Sequence, residues 1–317
     1  MNAQAIVFNQ PQQLSLQKLE LPELADGQIE VQVEYSGIST GTERLLWDGT
    51  MPAFPGMGYP LVPGYESVGR ITKVCNTTTL KVGQRVFVPG SSCFQGVRNL
   101  FGGTASQLVV SQDRVVQVEE SLGQQAVLLA LAATAYHAVA GGGKREKITT
   151  PDLIVGHGVL GRLLARMTVA SGAPAPTVWE TQAHRMSGCM GYRAVHPEDD
   201  PRRDYKTIYD VSGDSDLLDK LIQRLAPGGE VVLAGFYKND LHFAFAPAFM
   251  REAQIRAAAE WKRPDLLAVT ELVHNGRLSL EGLITHCQSP AKALDAYSVA
   301  FGDAACLKMI LDWSATA

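Results

Sequence analysis

A glycine-rich stretch near the middle of the chain has the spacing needed to bind a dinucleotide. Residues 156–161 read GHGVLG, a GxGxxG motif that follows the apolar run Leu153-Ile154-Val155. The first glycine permits a tight turn, the second lets a pyrophosphate approach the backbone, and the third lets a helix pack closely on a strand. The positive end of that helix is then predicted to hold the phosphates. The residues expected to contact them are Gly156, Gly158, Val159, Leu160 and Gly161.

An acidic residue ends the next predicted strand. Glu180 follows the glycine motif at the spacing of about 20 residues at which such folds place a ribose-binding carboxylate. A carboxylate there accepts hydrogen bonds from both adenosine ribose hydroxyls and repels a 2′-phosphate. This pattern favours NAD over NADP, although Arg185 lies near enough in sequence to leave NADP as an alternative.

Two further loops are expected at the carboxyl edge of the same sheet, where doubly wound sheets bind their ligands. One follows the predicted strand Thr207–Val211 and the other follows Glu230–Ala234. Backbone groups in these loops are candidates for holding a nicotinamide ring. They belong to Val211, Ser212, Gly235 and Phe236.

The elements that position these motifs change character along the chain. Residues 1–122 read as short strands separated by turn signals, which indicates a mostly antiparallel β domain. The part that follows alternates strands with helices, predicted at Arg162–Ser171, Ser215–Leu225 and Pro264–His274, which indicates a doubly wound parallel sheet. We therefore predict an α/β protein with a dinucleotide-binding domain at 123–265 and a β domain formed by 1–122 and 266–317.

Composition excludes several classes of protein. The chain has 317 residues with a formal charge of −4, so no basic field indicates nucleic acid or an anionic membrane as a partner. We find no apolar run of about 18 residues and no signal peptide, and we expect no integral membrane segment and a cytoplasmic location. The five cysteines form no CxxC pair, which argues against a disulfide framework or a cysteine-rich metal site. A homo-oligomer is left open.

This organisation resembles the medium-chain dehydrogenase/reductase superfamily over essentially the whole chain. The resemblance is carried by PGYESVG at 63–69, GGTAS at 102–106 and GLITH at 282–286, in addition to the central glycine motif. It implies a GroES-like β domain, a Rossmann domain and hydride transfer to or from a nicotinamide cofactor.

The departures from the superfamily pattern concern zinc. Zinc-using members have GICGTD where residues 37–43 read GISTGTE, so Ser39 stands at the cysteine position and one residue is inserted. Tyr65 replaces the histidine of PGHE, and residues 130–133, where a third ligand is expected, are apolar. Only Glu66 is left, whereas catalytic zinc needs about three protein ligands. Because the four-cysteine lobe is also missing, the sequence predicts a protein with no metal.

A narrower resemblance is to the branch of this superfamily that acts on bacteriochlorophyllides. It is carried by ISTGTERLLW at 38–47, FPGMGYPLVPGYE at 54–66 and LAATAYHA at 131–138. This resemblance alone implies a tetrapyrrole substrate whose 3-(1-hydroxyethyl) group is oxidised to 3-acetyl. An apolar wall for such a macrocycle is expected from the loop after residue 46, with ordinary loop packing as the alternative. Its members are Trp47, Phe54, Met57 and Tyr59.

Without zinc, hydroxyl groups must stabilise the developing alkoxide and relay its proton. Tyr65 and Thr42, and after them Ser39, are the predicted catalytic residues, because Thr42 resembles the superfamily's relay hydroxyl and the other two occupy vacated ligand positions. As alternatives, Tyr65 fills core space and the two smaller residues are turn or capping groups.

Three other polar residues receive structural interpretations. Glu66 is expected to form a buried ion pair, and His137 is expected to be a helix histidine with a hydrogen-bond partner and not a catalytic base. His157, inside the glycine motif, is expected to face solvent or the cofactor.

Two further functions stay open from the sequence. One is a different zinc-free medium-chain reductase that uses NADPH on quinones or enoyl compounds. The other is a dinucleotide-binding protein without catalysis.

Overall fold

The structure is a computed structural model that describes residues 2–53, 55–75, 78–140 and 149–314. In chain order its strands are β1 (Asn2–Gln10), β2 (Gln13–Glu20), β3 (Gln28–Ile38), β4 (Ser67–Val74), β5 (Arg85–Val88), β6 (Gln107–Ser111), β7 (Val116–Gln117), β8 (Leu153–Val155), β9 (Thr177–Trp179), β10 (Arg193–Val195), β11 (Tyr205–Asp210), β12 (Leu225–Leu233), β13 (Gln254–Ala257), β14 (His286–Gln288) and β15 (Met309–Asp312). Its helices are α1 (Thr42–Asp48), α2 (Leu129–Ala140), α3 (Val159–Ala170), α4 (Leu218–Ile222), α5 (Phe245–Met250), α6 (Arg263–His274) and α7 (Ala293–Gly302).

The chain divides into two compact units. The first unit comprises Met1–Ala130 and Glu281–Ala317, and the second comprises Leu131–Leu280. The first unit is therefore discontinuous in sequence. The domain boundaries predicted above, at residues 122 and 266, stay a prediction.

The first unit is built on a largely antiparallel sheet. Within the described residues its strand order is β14-β15-β3-β4-β5-β7, and β6 also pairs with β3. Strand β15, from the C-terminal part of the unit, pairs antiparallel with the end of β3, with Met309 opposite Ile38. This pairing brings distant chain segments to the place where β3 leads into α1. The predicted antiparallel β domain is confirmed.

The second unit contains a parallel sheet of strand order β10-β9-β8-β11-β12-β13. Each neighbouring pair in this order is parallel. The chain runs outward from β8 in one direction and then from β11 in the other, so the sheet has the reversal point at which doubly wound folds bind ligands. Strand β8 is fully buried, as its short apolar run predicted, and α3 begins directly after the glycine turn. The predicted α/β fold class is confirmed.

Three local predictions differ from the structure. The edge strands β10 and β13 were not predicted, because their residues are largely exposed and form no apolar run. The helix predicted over Ser215–Leu225 is shorter: a 3-10 turn at Ser215–Leu217 leads into α4, which ends at Ile222. It ends there because Leu225 already pairs with Tyr205 in the sheet.

One stretch among the described residues has the length and mean hydropathy of a membrane span, although polar residues interrupt it. It covers Glu120–Ala140, and 61% of its most apolar window is buried inside the protein. The backbone at Gly123 is not helical, so the stretch is a 3-10 segment followed by α2. Its burial is that of a core helix.

Candidate active site

Three hydroxyl groups meet at the end of β3 in the first unit. The Tyr65 hydroxyl donates a hydrogen bond to Ser39 Oγ over 2.7 Å, and Thr42 Oγ1 lies 3.5 Å from the same phenol oxygen. Ser39 is buried, while Tyr65 and Thr42 are half-buried. The structure thus brings the predicted catalytic residues together, although 65 and 39 are separated by the whole of α1 and the loop after it.

The phenol of Tyr65 is held in its neutral form. Burial raises its pKa above the usual range, and the nearby charge of Glu66 raises the pKa further, while hydrogen bonds with Ser39 and Thr42 act in the opposite direction. A phenol that keeps its proton at neutral pH is a hydrogen-bond donor and a poor base. The ring also packs edge-on against Phe101, with centroids 4.9 Å apart.

A carboxyl group that the sequence analysis did not single out fixes the backbone of this cluster. Glu43 has no solvent exposure. Its Oε1 accepts from the Ser39 backbone N–H over 3.0 Å and its Oε2 accepts from the Tyr297 hydroxyl over 2.9 Å. Burial raises the pKa of Glu43 to about 7 against these two hydrogen bonds, with a further contribution from the charge of Glu66.

A buried ion pair lies beneath the cluster. Lys308 Nζ donates to both carboxylate oxygens of Glu66, over 2.7 Å and 3.0 Å, and to the Ile38 carbonyl over 3.1 Å. Neither side chain has more than 1% of its surface exposed. Residue 37 must be glycine here, because a Cβ at Gly37 would lie 2.2 Å from Glu66 Oε2.

The residues at the superfamily's zinc position do not fit a zinc ion. Ser39 and Tyr65 offer neutral hydroxyls bonded to each other, and the Glu66 carboxylate is bound by Lys308. Among the residues that the structure describes, no group of three or more His, Cys, Asp or Glu side chains could hold a metal. Zinc requires about three nitrogen, sulfur or carboxylate ligands.

The loop predicted to form a substrate wall is largely engaged with the core of the first unit. Trp47 stacks on Tyr297 with ring centroids 6.4 Å apart and contacts Phe8 edge-on at 5.6 Å. The Tyr59 hydroxyl donates to the Leu46 carbonyl, and Met57 packs against the same core. Phe54 lies outside the described residues. Substrate binding by this loop stays a prediction.

In the second unit the glycine motif forms the turn that its spacing predicted. Gly156 has φ +105° and Gly158 is the N-cap of α3. No atom lies within 4 Å of the place that a Cβ at Gly158 would occupy, so the backbone there is open to a ligand. A Cβ at Gly161 would instead lie 1.9 Å from the Gly156 carbonyl oxygen, which explains the third glycine. The turn and the uncapped helix end fit a pyrophosphate.

Glu180 lies against this turn. Its Oε2 accepts from the His157 backbone N–H over 3.3 Å and its Oε1 accepts from the Gln182 N–H over 2.9 Å. Only 8% of Glu180 is exposed, so two backbone groups hold the carboxylate beside the glycine motif. This is the position expected of a ribose-binding acid.

The expectation for His157 is wrong. Its ring is fully buried: Nδ1 lies 2.7 Å from the Arg185 carbonyl oxygen and Nε2 lies 2.8 Å from the Tyr192 hydroxyl. The side chain therefore faces neither solvent nor an open site. Burial lowers the pKa of His157 to about 4, and the charge of Arg162 lowers it further.

The loops at the carboxyl edge of the parallel sheet meet as predicted and contain an acid that sequence reasoning missed. Asp210 accepts from the Ser212 hydroxyl and backbone N–H, over 2.7 Å and 2.9 Å, and from the Tyr237 hydroxyl over 2.9 Å. A Cβ at Gly235 would lie 3.4 Å from Val211 backbone atoms, and Phe236 is 44% exposed. Burial raises the pKa of Asp210. Nicotinamide binding by these loops stays a prediction.

His137 is a structural residue, as the sequence interpretation held. Its Nδ1 lies 2.7 Å from Asp265 Oδ2 and only 5% of the residue is exposed. Asp265 in turn accepts from the Lys262 backbone N–H at the start of α6. The pair therefore joins α2 to α6 inside the second unit.

The comparisons with known proteins agree with this architecture. Residues 25–120 match the family model of the alcohol dehydrogenase GroES-like domain. The chain is 51% identical over 322 residues to the 2-desacetyl-2-hydroxyethyl bacteriochlorophyllide A dehydrogenase of Cereibacter sphaeroides, with 100% of both chains covered. The protein of the same name from Rhodobacter capsulatus is 52% identical over 314 residues, with 99% of each covered. The chain belongs to this family of medium-chain dehydrogenases.

Solved structures support the fold of this dehydrogenase. L-idonate 5-dehydrogenase from Escherichia coli superposes with a TM-score of 0.85 over 98% of both chains at 17% identity. An alcohol dehydrogenase from E. coli CFT073, solved with NADH, superposes with a TM-score of 0.82 over 98% of this chain and 99% of that chain at 22% identity. At these identities the likeness concerns the fold.

Glu43 makes the stability of the dehydrogenase depend on pH. Burial raises its pKa to about 7 in the folded protein from an ordinary value of 4.5. Between these values the folded state binds more protons than the unfolded state, so the free energy of unfolding falls as the pH rises. Between pH 4.5 and 7.5, the free energy of unfolding should fall by about 3 kcal/mol less in Glu43→Gln than in the wild type. Denaturant unfolding across this pH range measures the difference.

The matched control is Glu23→Gln, at an exposed residue of the same unit. It should keep the wild-type pH dependence. An unchanged slope in Glu43→Gln would mean that this carboxyl does not titrate in the range.

Proposed function

We propose that the protein oxidises the 3-(1-hydroxyethyl) group of a bacteriochlorophyllide to a 3-acetyl group, with NAD as the hydride acceptor and without catalytic zinc. The substrate class follows from the names of the relatives, and we take the 2-hydroxyethyl group in those names to be this substituent. The observation that carries the chemistry is the hydroxyl cluster of Tyr65, Ser39 and Thr42 at the superfamily's ligand positions.

Oxidation of a secondary alcohol removes a hydride from carbon and a proton from oxygen. Nicotinamide, when bound, takes the hydride. Removal of the proton leaves negative charge on the oxygen, which zinc stabilises in other members and which hydrogen-bond donors must stabilise here. Tyr65 suits this role because its raised pKa keeps the phenol protonated, and its one proton, which Ser39 Oγ accepts here, would turn to the substrate oxygen. A neutral donor in a partly buried site adds no charge that must itself be desolvated.

The proton requires an acceptor other than Tyr65. Ser39 and Thr42 both lie within reach of the phenol oxygen, and each hydroxyl can accept one hydrogen bond while donating another. We assign the relay to Thr42, the more exposed of the two, which would pass the proton on to solvent water, and a positioning role to Ser39, whose backbone is fixed by Glu43.

The cofactor assignment rests on Glu180. A buried carboxylate held by two backbone N–H groups cannot swing away from an incoming 2′-phosphate, and the two negative charges would repel each other. The adenosine ribose of NAD has two free hydroxyls, which can donate hydrogen bonds to the same carboxylate. A cytoplasmic location stays a prediction, and a homo-oligomer stays open.

The proposed reaction has a direct spectroscopic test. Protein, NAD and authentic 3-(1-hydroxyethyl) bacteriochlorophyllide should give a red shift of the long-wavelength band, because the new carbonyl conjugates with the ring. NADH absorbance should rise in step, at one NADH per pigment, since one hydride moves. If there is no red shift and the protein turns over a quinone or enoyl compound with NADPH, the reductase alternative would be supported instead. Tight NADH binding without turnover would favour a non-catalytic protein.

The hydroxyl cluster should control turnover. Tyr65→Phe and Thr42→Val should each lower kcat by about 10- to 1000-fold, because the lost groups stabilise or relay charge in the transition state. Tyr35→Phe, at a half-buried tyrosine of β3, is the control and should keep wild-type kcat. If both cluster variants keep wild-type kcat, the proton leaves through the cofactor ribose or water.

Cofactor preference should depend on Glu180. Wild-type kcat/KM should be far higher with NAD than with NADP. Glu180→Ala should reduce this difference in kcat/KM, mainly through KM, because the lost carboxylate binds the ribose and takes no part in chemistry. Steady-state kinetics with both cofactors measure this. Equal kcat/KM for the two cofactors in the wild type would remove the assignment.

Activity should need no metal. Elemental analysis of purified protein should find less than about 0.1 equivalent of zinc, because hydroxyls and one ion-paired carboxylate make no tetrahedral site. Turnover should survive prolonged chelation. Loss of activity that zinc specifically restores would contradict this prediction.

A further inference from the structure

Segment 181–192, which follows Glu180, is hydrogen-bonded to the imidazole of His157 in the glycine turn. The His157 ring lies between the Arg185 carbonyl and the Tyr192 hydroxyl, and it meets the Tyr192 ring edge-on at 87°. A carbonyl oxygen can only accept, so Nδ1 must carry the proton and Nε2 accepts from the tyrosine. Residues 185 and 192 of the segment 181–192 are therefore both tied to the second residue of the motif.

A buried arginine completes this fastening. Arg162 Nε donates to the His157 carbonyl over 3.0 Å, and its Nη2 donates to the Arg185 carbonyl over 2.9 Å. The Arg185 oxygen thus accepts from both the imidazole and the guanidinium. Only 4% of Arg162 is exposed. These contacts leave the loop after β9 little freedom relative to the start of α3.

The same residue carries the backbone group that holds the acid. The His157 N–H donates to Glu180 Oε2, while Glu180 Oε1 accepts from Gln182, inside the fastened segment. The carboxylate is therefore clamped between the two pieces of chain that the imidazole joins. Movement of either piece would free one carboxylate oxygen.

We propose that His157 is a positioning residue for cofactor choice: by tying segment 181–192 to the glycine turn, its imidazole holds Glu180 where the carboxylate selects an unphosphorylated adenosine ribose. This inference rests on the proposed NAD-dependent function. It gives His157, at the second position of the motif, a role in cofactor choice that the glycines do not have. The imidazole does this as a neutral group, since its pKa lies near 4.

The test measures binding to the purified protein without turnover, by NADH and NADPH fluorescence titration. His157→Ala should raise the Kd for NADH by about 10-fold, of the order expected when one or two hydrogen bonds are lost. The Kd for NADPH should change less, because a loosened carboxylate repels the 2′-phosphate less. The ratio of the NADPH Kd to the NADH Kd should therefore fall. Tyr192→Phe, which removes only the outer hydrogen bond, should lower the ratio by a smaller factor.

Two comparisons separate positioning from a general loss of structure. His137→Ala removes an equally buried histidine of the same unit and should lower Tm without changing the Kd ratio. His157→Asn keeps a donor near the Arg185 carbonyl and should recover part of the wild-type ratio. If the alanine variant does not fold, the asparagine and Tyr192→Phe variants still decide the question.

A double-mutant cycle identifies the residue through which His157 acts. In a Glu180→Gln background, His157→Asn should leave the Kd ratio unchanged, because the carboxylate it positions is absent. An unchanged ratio in every single His157 and Tyr192 variant, or a full effect in the Glu180→Gln background, overturns the inference. A wild-type protein that binds neither NADH nor NADPH would instead overturn the proposed function.

Discussion

Burial of the Glu66 and Lys308 charges carries a desolvation cost of several kcal/mol for each ion, and the first unit is arranged to offset it. The ammonium group donates to both carboxylate oxygens and to the Ile38 carbonyl, so each of its three protons has an acceptor. Gly37 leaves room for the carboxylate, and β15 pairs with β3 in the register that presents Lys308. The turn that carries Ser39 and leads into α1 at Thr42 begins where this pair fixes the end of β3.

The pair also determines the charge beneath the hydroxyl cluster. With Glu66 neutralised by Lys308, the remaining carboxyl is Glu43, and its raised pKa keeps much of it protonated near neutral pH. A developing alkoxide beside Tyr65 therefore does not face two full negative charges. The polar groups at the superfamily's zinc position are thus neutral or paired, which is compatible with the metal-free alcohol chemistry proposed above.

Local patterns were sufficient to predict the elements that depend on short stretches of chain. The strand Leu153–Val155, the glycine turn and the helix start that follows could be predicted because apolar runs and glycines act within a few residues. Ser39, Thr42 and Tyr65 were identified because they stand at positions with known roles in the superfamily. Edge strands such as β13 lack an apolar run, since one side of an edge strand stays in solvent.

Contacts between distant segments could not be predicted in this way. Lys308 and Glu66 are 242 residues apart, and Tyr297 and Glu43 are 254 apart. One signal was available: Lys308 interrupts the apolar run Cys306–Leu311, and a charge in a buried strand requires a partner. His157 was misjudged because the motif alone does not reveal that the segment ending at Tyr192 folds back over it.

The discontinuity of the first unit has a consequence for the protein while it is being made. Domains generally fold as they leave the ribosome, at about 5 to 20 residues per second. The second unit, Leu131–Leu280, is continuous and emerges complete before the last segment of the first unit does. Glu66 cannot pair with Lys308 until a further 242 residues have been synthesised, which takes roughly 10 to 50 seconds at those rates. The continuous second unit can therefore fold while the first unit still lacks Lys308, and the ion pair beneath the hydroxyl cluster forms only after that residue has been made.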